Sequence, residues 1–483
     1  MLLKTIEQSL WENAIRKPSK VAVISGKERI TYQQLCTSIL AARDKYIDSF
    51  AIKPGSTIIL AAGKQVGFVY AYFGAHLAGI KVVTIDAQTN PDRLHYIAEA
   101  TSASLLIGFE GAESDIPEVK LSIFETCDAP VTEPKYPDVD AVADILFTTG
   151  TTGAPKGVPL TFGNEAAAAR NINTFIRNTS DDIELLALPI SHSFGLGRLR
   201  CCLTIGATII LLGNFANVKK LYRLMGEEHV TGFTMVPASW RYLHRFSGEK
   251  IAEFKDQLKY IEMGSAFLSA EEKQELATLL PNTRVCMHYG LTEASRSTFM
   301  EFHEDAANLS SVGKASPFTE IAILDEQGHK VKDGEEGEIC IKGEHVTKGY
   351  LNIPKEEAFF GDYFRTGDWG HLTEDGYVYL ASRKKDLINV GGKKVSPDEV
   401  EMQIVKVAGV ADCACIATPD PEGVLGDVVK AFIVKDENAE INFETIRQQI
   451  ESRLEYYKLP VVWEWINEIP RTQNGKTRRN LLS

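Results

Sequence analysis

The sequence has few of the features that would place a protein in a membrane or in an oxidising compartment. Its eight cysteines among 483 residues form no Cys-x-x-Cys pair, so neither a zinc site nor a disulfide framework is predicted. The most apolar stretch, residues 203–212, is too short to span a bilayer, and residues 1–20 do not have the continuous apolar core of a signal peptide. We therefore expect a soluble protein of the reducing cytoplasm, without a transmembrane segment.

Basic residues are also in deficit. Lys and Arg total 52 against 65 for Asp and Glu, which gives a formal net charge of −13. This balance argues against binding to nucleic acid or to an anionic membrane, although a local basic pocket could still hold an anionic small molecule. Hydrophobic residues make up 44% and charged residues 24%, as in a globular protein, and the length suggests about three structural units.

The order of sequence patterns predicts an α/β protein. Over the first 300 residues, short β-branched runs such as Val21–Ser25 alternate with helical patterns, and Thr31 with Gln34 and Ser269 with Glu272 form capping-box pairs. This alternation predicts doubly wound parallel sheets with ligands at the carboxyl ends of the strands. Short strands from about residue 311 predict a small antiparallel sheet or barrel. We expect an N-terminal domain over 1–382, with a β-rich subdomain over 310–382, and a C-terminal domain over 383–483.

The strongest chemical signal is segment 145–157, in which an apolar strand runs into threonines and glycines before a lysine. Glycines let backbone N–H groups close around a phosphate, hydroxyls donate further hydrogen bonds, and the lysine adds a positive charge. The order of residues is not that of a Walker A loop. The alternative is an ordinary loop between strands. The candidate phosphate-binding residues are Thr148, Thr149, Gly150, Thr151, Thr152, Gly153 and Lys156.

This loop resembles the signature of the AMP-forming adenylating enzymes, which include acyl-CoA synthetases, the adenylation domains of nonribosomal peptide synthetases and beetle luciferases. Four further segments are similar to signatures of that family and occur in the same order, at 288–293, 363–368, 382–393 and 474–476. The resemblance covers essentially the whole chain. It implies a large domain of doubly wound sheets with a small distorted β-barrel, followed by a small mobile α+β domain.

The resemblance implies roles for individual residues, and each has a simpler alternative. Tyr289 would stack on adenine, or would only be a core aromatic. Thr292 would donate to the α-phosphate and Glu293 would hold Mg²⁺, or residues 292–297 would simply begin a helix. Asp368 would accept hydrogen bonds from the ribose hydroxyls, or would only occupy a turn. The other nucleotide-binding candidates are Gly264, Ser265, Ala266, Gly290 and Arg383.

The resemblance implies that the terminal lysine, Lys476, approaches both the substrate carboxylate and the α-phosphate. A cation there would stabilise the attack of one anion on another; the alternative is a frayed terminal lysine. The small domain would turn about Lys385 between two half-reactions. Gly391 and Gly392 would then line the thiol tunnel, where the lack of side chains lets a pantetheine arm approach closely.

The segment around His192 bears on the acid substrate. The resemblance places His192 in a catalytic or pocket-lining position, although an ordinary packing histidine is the alternative. Amino-acid-activating members of the family carry an Asp in this region, and residues 191–194 contain no acid, so an α-amino acid is disfavoured. Glycines at three positions could admit either an aliphatic chain or an aryl ring: Gly195, Gly197 and Gly264.

Taken together, the resemblance implies ATP- and Mg²⁺-dependent conversion of a fatty or aryl carboxylic acid to an acyl-adenylate, followed by transfer to coenzyme A. The named alternative is a stand-alone ligase that loads the acid onto the phosphopantetheine of an acyl carrier protein. A luciferase-like oxygenase and a non-catalytic nucleotide-binding module are further alternatives. The presence of Lys156, Glu293, Asp368 and Lys476 argues against the last of these.

Overall fold

The computed structural model describes residues 3–63, 65–89, 91–109, 115–125, 134–148, 155–213, 215, 217–383, 386, 388–390, 393–422, 425, 427–436, 439–472 and 475–482. Contacts divide the chain into two compact units. The first unit consists of Met1–Leu309, Gly313–Glu320 and Ile341–Phe364. The second unit consists of Ser310–Val312, Ile321–Cys340 and Arg365–Ser483. The domain boundary at 382/383 stays a prediction.

The α-helices within the described ranges are α1 Ile6–Arg16, α2 Tyr32–Asp44, α3 Val66–Leu77, α4 Pro91–Thr101, α5 Phe162–Ile176, α6 Ser193–Ile205, α7 Val218–Glu227, α8 Pro237–Ser247, α9 Ala270–Leu279, α10 Lys355–Ala358, α11 Pro397–Ile404 and α12 Phe443–Glu451. A π-helical turn, Lys45–Ser49, follows α2, and short 3₁₀ turns occur at Leu121–Phe124, Lys250–Phe254, Ala306–Asn308, Tyr456–Lys458 and Arg479–Leu481. None of the helices in these ranges has the length and apolar character needed to cross a bilayer.

The strands are β1 Val21–Ser25, β2 Glu28–Thr31, β3 Thr57–Ala62, β4 Lys81–Asp86, β5 Ala103–Ile107, β6 Glu118–Val119, β7 Val142–Thr148, β8 Lys156–Thr161, β9 Ile183–Leu186, β10 Thr208–Leu211, β11 Gly232–Met235, β12 Tyr260–Met263, β13 Arg284–Tyr289, β14 Thr298–Glu301, β15 Lys314–Ala315, β16 Thr319–Leu324, β17 Gly337–Gly343, β18 Phe359–Phe360, β19 Tyr363–Leu372, β20 Val378–Arg383, β21 Ile388–Val390, β22 Lys393–Val395, β23 Val410–Pro419, β24 Asp427–Lys435 and β25 Val462–Trp465.

The first unit is built on two large, mostly parallel sheets. The nine-stranded sheet has the order β15-β14-β13-β12-β11-β9-β10-β1-β2, and its strands from β13 to β1 pair in parallel. The six-stranded sheet has the order β6-β5-β3-β4-β7-β8, parallel from β6 to β7 and antiparallel between β7 and β8. The parallel strands therefore bring their carboxyl ends to one edge of each sheet.

Both faces of these sheets are buried. In β3, Ile58 and Leu60 belong to one apolar core, whereas Ile59 and Ala61 belong to another. Strand β10 divides its side chains between two cores in the same way. A strand covered on both faces needs an almost continuous apolar run, which is what the sequence shows at these positions. The predicted doubly wound α/β architecture is confirmed.

The second unit contains smaller sheets. Strands β23, β24 and β25 form a three-stranded sheet, β21 and β22 form a hairpin, and α11 and α12 pack their apolar side chains into a shared core. A five-stranded sheet, to which residues of both units contribute, has the order β16-β17-β19-β18, with β20 paired to β19. Its β18–β19 and β19–β20 pairs are antiparallel. This sheet corresponds to the small β structure predicted from the Gly- and Asp-rich segment.

Local signals account for several of the helix boundaries. The capping boxes predicted at Thr31 with Gln34 and at Ser269 with Glu272 are both present. A third box, Thr161 with Asn164, begins α5 directly after β8. In each box, side chains satisfy N–H groups that a helix start leaves without partners.

Candidate active site

The two ends of the threonine- and glycine-rich loop lie side by side in the first unit. Thr148 ends β7 and pairs with Lys156, the first residue of β8, in antiparallel register. The Thr148 hydroxyl also donates to the Lys156 carbonyl at 3.5 Å. The candidates between them, Thr149, Gly150, Thr151, Thr152 and Gly153, lie outside the described residues. The ladder therefore holds the two ends of this loop together, as a phosphate-enclosing loop requires.

Tyr350 connects Lys156 to Glu293. The Lys156 Nζ lies 5.0 Å from the centroid of the Tyr350 ring, and the Tyr350 hydroxyl donates to Glu293 Oε1 at 2.8 Å. The Glu293 carbonyl also accepts from the N–H of Thr347 at 2.8 Å. Two candidates that are far apart in the sequence are thus brought together by one aromatic side chain. Sequence reasoning missed Tyr350, because an isolated tyrosine after a glycine carries no recognisable signal.

The segment from Gly290 to Arg296 is a tight loop and not the start of a helix. A Cβ on Gly290 would lie 2.4 Å from the backbone nitrogen of Arg296, and Leu291 and Ala294 exchange backbone hydrogen bonds. Arg296 has a positive φ of 55°. The alternative that Glu293 is an ordinary helix-start charge is therefore wrong. Thr292 beside it is only partly buried and lies within this loop.

Gly264 and Tyr289 lie at the carboxyl ends of two neighbouring parallel strands, β12 and β13. A Cβ on Gly264 would lie 2.3 Å from the Nε2 of His288, so only glycine lets the two strand ends approach this closely. Ser265 follows with a positive φ of 73°, and Ser265, Ala266 and Tyr289 are partly exposed. The structure thus places the small-residue segment and Tyr289 at one sheet edge, where a flat ring could bind.

His192 directly precedes α6 and is largely buried. Burial lowers the pKa of its imidazole, the carboxylate of Asp86 raises it, and Arg93 lowers it. The His192 Nε2 and the Ser191 hydroxyl have no hydrogen-bond partner among the described residues. Ser191 and Asp86 also line a cavity of about 160 Å³ whose walls come from the carboxyl ends of β3, β4, β9 and β10.

The three glycines expected to open the acid pocket leave no open space at their Cβ positions. A Cβ on Gly195 would lie 2.3 Å from the Pro189 carbonyl oxygen, and the space at Gly264 is occupied by His288. A Cβ on Gly197 would lie 2.6 Å from Nη1 of Arg296. These contacts show that a larger residue would not fit at these positions, and the prediction that they admit an aliphatic chain or an aryl ring stays a prediction.

A buried ionic cluster, which we call the Glu262 cluster, lies behind this edge. It consists of Glu184, Arg198, Glu262, Arg296 and His288. Arg198 bonds Glu184 and lies 3.2 Å from Glu262, while Glu262 Oε1 accepts from Arg296 Nε at 3.0 Å and lies 2.8 Å from His288. Burial alone would raise the pKa of Glu262, but Arg296 and Arg198 hold it well below its ordinary value. Burial lowers the pKa of His288.

A second buried cluster surrounds Arg200, two residues further along α6. Arg200 bonds Asp144 and lies 2.8 Å from Glu165, and His76 lies between Asp144 at 3.2 Å and Glu7 at 2.7 Å. Burial alone would lower the pKa of His76, but the two carboxylates raise it to about 10. Sequence reasoning missed both clusters. The available signal was a pair of arginines within the otherwise apolar segment of α6.

The remaining candidates belong to the second unit. Asp368 is buried in β19, directly opposite Arg383 of β20, and follows Gly367 at a φ of 71°. Lys476 is exposed on a tight turn in which its N–H donates to the Thr472 hydroxyl at 3.1 Å. Its position is therefore structured rather than frayed. Lys385, Gly391, Gly392 and the side chain of Arg383 lie outside the described part of the chain.

Comparison with known proteins matches this arrangement to one family. The sequence model of the AMP-binding enzyme family matches residues 10–351, and that of the AMP-binding enzyme C-terminal domain matches residues 399–476. The 2-succinylbenzoate–CoA ligase of Bacillus licheniformis is 29% identical over 98% of each chain. These matches extend over both units.

Two solved structures of o-succinylbenzoate CoA synthetase from Bacillus subtilis have the same fold. The complex with the acyl-adenylate intermediate has a TM-score of 0.90 and 25% identity, covering 100% of this chain and 99% of the other. The complex with ATP and magnesium ion has a TM-score of 0.88 and 26% identity, covering 98% of each chain.

Proposed function

The chain belongs to the AMP-binding enzyme family, and on that premise we propose that it activates a carboxylic acid with Mg·ATP and transfers the acyl group to the thiol of coenzyme A. The observation that carries the proposal is the link from Lys156 through Tyr350 to Glu293. Tyr350 contacts both the Lys156 ammonium at the end of the proposed phosphate loop and the buried carboxylate of Glu293. An ATP triphosphate with its metal needs both kinds of charge.

In the first step, a carboxylate oxygen of the acid attacks the α-phosphorus of ATP. The new O–P bond forms an acyl-adenylate, and the bond to the β-phosphate oxygen breaks, so that pyrophosphate leaves with the electron pair. Attack of one anion on another is slow unless cations neutralise the transition state. Lys156 would neutralise the phosphates, Thr292 would donate to the α-phosphate, and Lys476 would approach the reacting carboxylate and phosphate.

Glu293 fits Mg²⁺ as a single protein ligand. The described residues contain no group of three or more His, Cys, Asp or Glu side chains that could hold a metal ion. Mg²⁺ commonly binds one or two carboxylates and takes its other ligands from phosphates and water. Glu293 Oε1 accepts from Tyr350, which fixes the orientation of the carboxylate that would hold the metal. When bound, the metal would neutralise charge on the departing pyrophosphate.

The nucleotide would be held by residues that lie far apart in the sequence. Tyr289 would stack on adenine beside Gly264, Ser265, Ala266 and Gly290. Asp368 would accept hydrogen bonds from the ribose hydroxyls, which its buried carboxylate after a glycine turn supports. Arg383 would contact the ribose or phosphate. Thr148 and the loop that follows it would enclose the phosphates.

In the second step, the thiolate of the acceptor attacks the acyl carbon, a thioester forms, and AMP leaves with the electrons of the broken C–O bond. Gly391 and Gly392 would line the path of the pantetheine arm, and the small domain would turn about Lys385. His192, with its lowered pKa, would form a neutral wall of the acid pocket. Transfer to an acyl carrier protein is the alternative for this step.

The cellular setting is also part of the proposal. Seven cysteines in the described ranges are buried and unpaired, as expected for a protein of the reducing cytoplasm. We expect no nucleic-acid partner, since the net charge is −13.

The test is pyrophosphate release from Mg·ATP across aliphatic, aryl and α-amino acids, followed by thioester detection with coenzyme A and with a phosphopantetheinylated carrier protein. We expect release with an aliphatic or aryl acid and a thioester with coenzyme A. A thioester on the carrier alone would select the alternative acceptor. A proteinogenic amino acid as the best substrate, or no release with any acid, would contradict the proposal.

A further inference from the structure

Lys476 lies on a turn of the second unit whose backbone is closed by its own hydrogen bonds. The N–H of Thr472 donates to the Lys476 carbonyl at 2.8 Å, and the N–H of Gly475 donates to the Thr472 carbonyl at 2.8 Å. The N–H of Lys476 donates to the Thr472 hydroxyl at 3.1 Å, and Gly475 has a positive φ of 79°. Arg471 and Thr477 pair across the turn as an antiparallel bridge. The backbone at Lys476 is therefore held on both sides.

The side chain of Arg471 contacts both residues that flank Lys476. Its Nη1 donates to the Gly475 carbonyl at 3.1 Å and to the Thr477 hydroxyl at 3.1 Å. A guanidinium is planar and its donors have fixed directions, so two such bonds restrict the orientation of the turn as well as its closure.

The rest of the Arg471 guanidinium is anchored on Asp412 of β23. Its Nη2 donates to Asp412 Oδ1 at 2.7 Å and to Oδ2 at 2.9 Å, and its Nε donates to Oδ2 at 3.2 Å. A pair with two parallel bonds fixes direction as well as distance. The pairing of β23 with β24 shifts register between Val410 and Asp412, and irregularities of this kind redirect side chains. The turn is thus tied to the three-stranded sheet through one arginine.

The same contacts make Arg471 unsuitable as a substrate ligand. Each of its three guanidinium nitrogens already donates to a partner within the second unit. The carboxylate of Asp412 also compensates its charge. Contact with a phosphate would require these bonds to break, so any effect of Arg471 on the reaction would pass through the turn.

We infer that Arg471, anchored on Asp412, is a positioning residue that determines where Lys476 meets the reacting carboxylate and α-phosphate. The inference rests on the proposed function, because Lys476 receives its role from the adenylation step. A lysine has a flexible four-carbon side chain, so its ammonium is well placed only when its backbone is fixed. A displacement of about 1 Å in a reacting site can cost about 100-fold in rate.

The experiment measures both half-reactions in single turnovers for Arg471→Ala, Arg471→Lys and Asp412→Ala, with the fastest wild-type acid among acetate, octanoate and benzoate. Arg471→Lys keeps the charge and can still pair with Asp412, but an ammonium lacks the planar fork that also bonds the turn. We expect each variant to slow pyrophosphate release at saturating Mg·ATP by about 10- to 100-fold. The KM for ATP, and thioester formation from preformed acyl-adenylate, should stay as in the wild type.

A double variant separates a positioning role from a structural one. If Arg471 acts only through Lys476, then Arg471→Ala combined with Lys476→Ala should form the adenylate no more slowly than Lys476→Ala alone. The matched control is Glu464→Ala, which breaks an ion pair of 2.9 Å with Lys430 in the same three-stranded sheet. This control should leave both half-reactions unchanged.

The possible results separate the inference from the proposed function. Unchanged adenylation in the Arg471 variants, an equal loss in both half-reactions, or a change confined to the KM for ATP would overturn the inference alone. So would losses that multiply in the double variant, or the same selective loss in Glu464→Ala. No pyrophosphate release by the wild type with any acid would overturn the proposed function and the inference together. Arg471→Lys and Asp412→Ala keep the inference testable if Arg471→Ala fails to fold.

Discussion

Glu293 is the residue on which the metal hypothesis depends. It is 6% exposed and receives a hydrogen bond from Tyr350, so an isosteric amide can replace it without opening a cavity. We expect Glu293→Gln to lower the rate of adenylation and to weaken its response to Mg²⁺, because an amide oxygen is a poorer ligand for a hard cation than a carboxylate. Pyrophosphate release measured over a Mg²⁺ series tests this.

The exposed Glu344, paired with Arg170, provides the control Glu344→Gln. An unchanged Mg²⁺ dependence would remove Glu293 from the metal site.

Tyr350 contacts Lys156 through its ring and Glu293 through its hydroxyl, so the two contacts can be tested separately. Tyr350→Phe keeps the ring near Lys156 but removes the hydrogen bond to Glu293. A hydrogen bond to a charged group contributes about 1.5–3 kcal/mol. We therefore expect a loss of about 10- to 150-fold in kcat, with a higher Mg²⁺ requirement.

The control for this variant is Tyr363→Phe, which removes a tyrosine hydrogen bond to Glu320 in the same unit. It should leave the Mg²⁺ requirement unchanged. If both variants behaved alike, Tyr350 would have only a packing role.

The contrast between Tyr350 and the capping boxes shows what the sequence could predict at the scale of elements. Thr31 and Gln34 lie three residues apart and form a capping-box pattern, so the start of α2 was predictable. Tyr350 lies 57 residues from Glu293, and their contact depends on two loops meeting in space. Strand positions were also predictable from a short stretch of sequence, because a strand covered on both faces must be apolar along its length.

The glycines after His192 show what the sequence leaves open. Gly195 and Gly197 are expected to admit a chain or an aryl ring, and each of these glycines also has a close neighbour at its Cβ position. Only the structure shows that this neighbour is Arg296 for Gly197. A buried arginine in a loop with a positive φ has no sequence signature.

The β12–β13 edge offers a direct test of such close packing. Gly264→Ala would place a methyl group 2.3 Å from the His288 ring and displace the strand end that carries Tyr289. We expect the KM for ATP to rise by about 10-fold or more, since small misplacements of a site are costly. Gly226 on α7 has nothing within 4 Å of its Cβ position. Gly226→Ala should therefore leave ATP binding unchanged. Equal KM values for wild type and Gly264→Ala would contradict the assigned role.

The cluster around His76 joins α1, α3 and β7 and predicts a pH dependence of stability. The pKa of His76 is about 10 in the folded state and about 6.5 in an unfolded chain. The folded protein then holds the proton more tightly, so the stabilisation is complete below about pH 6.5 and is lost as the pH rises towards about 10. Urea unfolding from pH 7 to pH 9.5 should show a falling free energy of unfolding, and this fall should be smaller in His76→Gln.

The matched control is His95→Gln, at an exposed position on α4 beside Glu99. It should keep the wild-type dependence on pH. Identical slopes for the wild type and His76→Gln would show that His76 does not carry this proton.

At the scale of the whole molecule, the candidate residues are divided between the two units. Lys156, Glu293 and Tyr289 belong to the first unit, and Asp368 and Lys476 belong to the second. The sequence predicted Asp368 in the N-terminal domain over 1–382 and Lys476 in the C-terminal domain over 383–483, and it identified both residues only through collinear family signatures.

Lys476 tests that mechanism directly. Its backbone is fixed by Thr472, and Arg471 in the same turn lies 2.7 Å from Asp412, so removing the exposed lysine side chain should leave the turn intact. We expect Lys476→Ala to slow acyl-adenylate formation by about 10²–10³-fold, the effect of losing one charge partner in the transition state. That loss corresponds to about 3–4 kcal/mol. The same variant given preformed acyl-adenylate should form the thioester at nearly the wild-type rate.

Arg478→Ala provides the control, because it removes a neighbouring exposed cation that has no assigned role. It should leave both half-reactions unchanged, which separates the position of Lys476 from the general basic character of the C-terminal segment. Single-turnover measurements of pyrophosphate release and of thioester formation decide between the outcomes. If Lys476→Ala slowed both steps equally, Lys476 would be a general binding residue and the proposed turn of the small domain over 383–483 would lose its support. A selective loss of the first step would mean that the lysine is needed only until the adenylate exists, as the two-step mechanism requires.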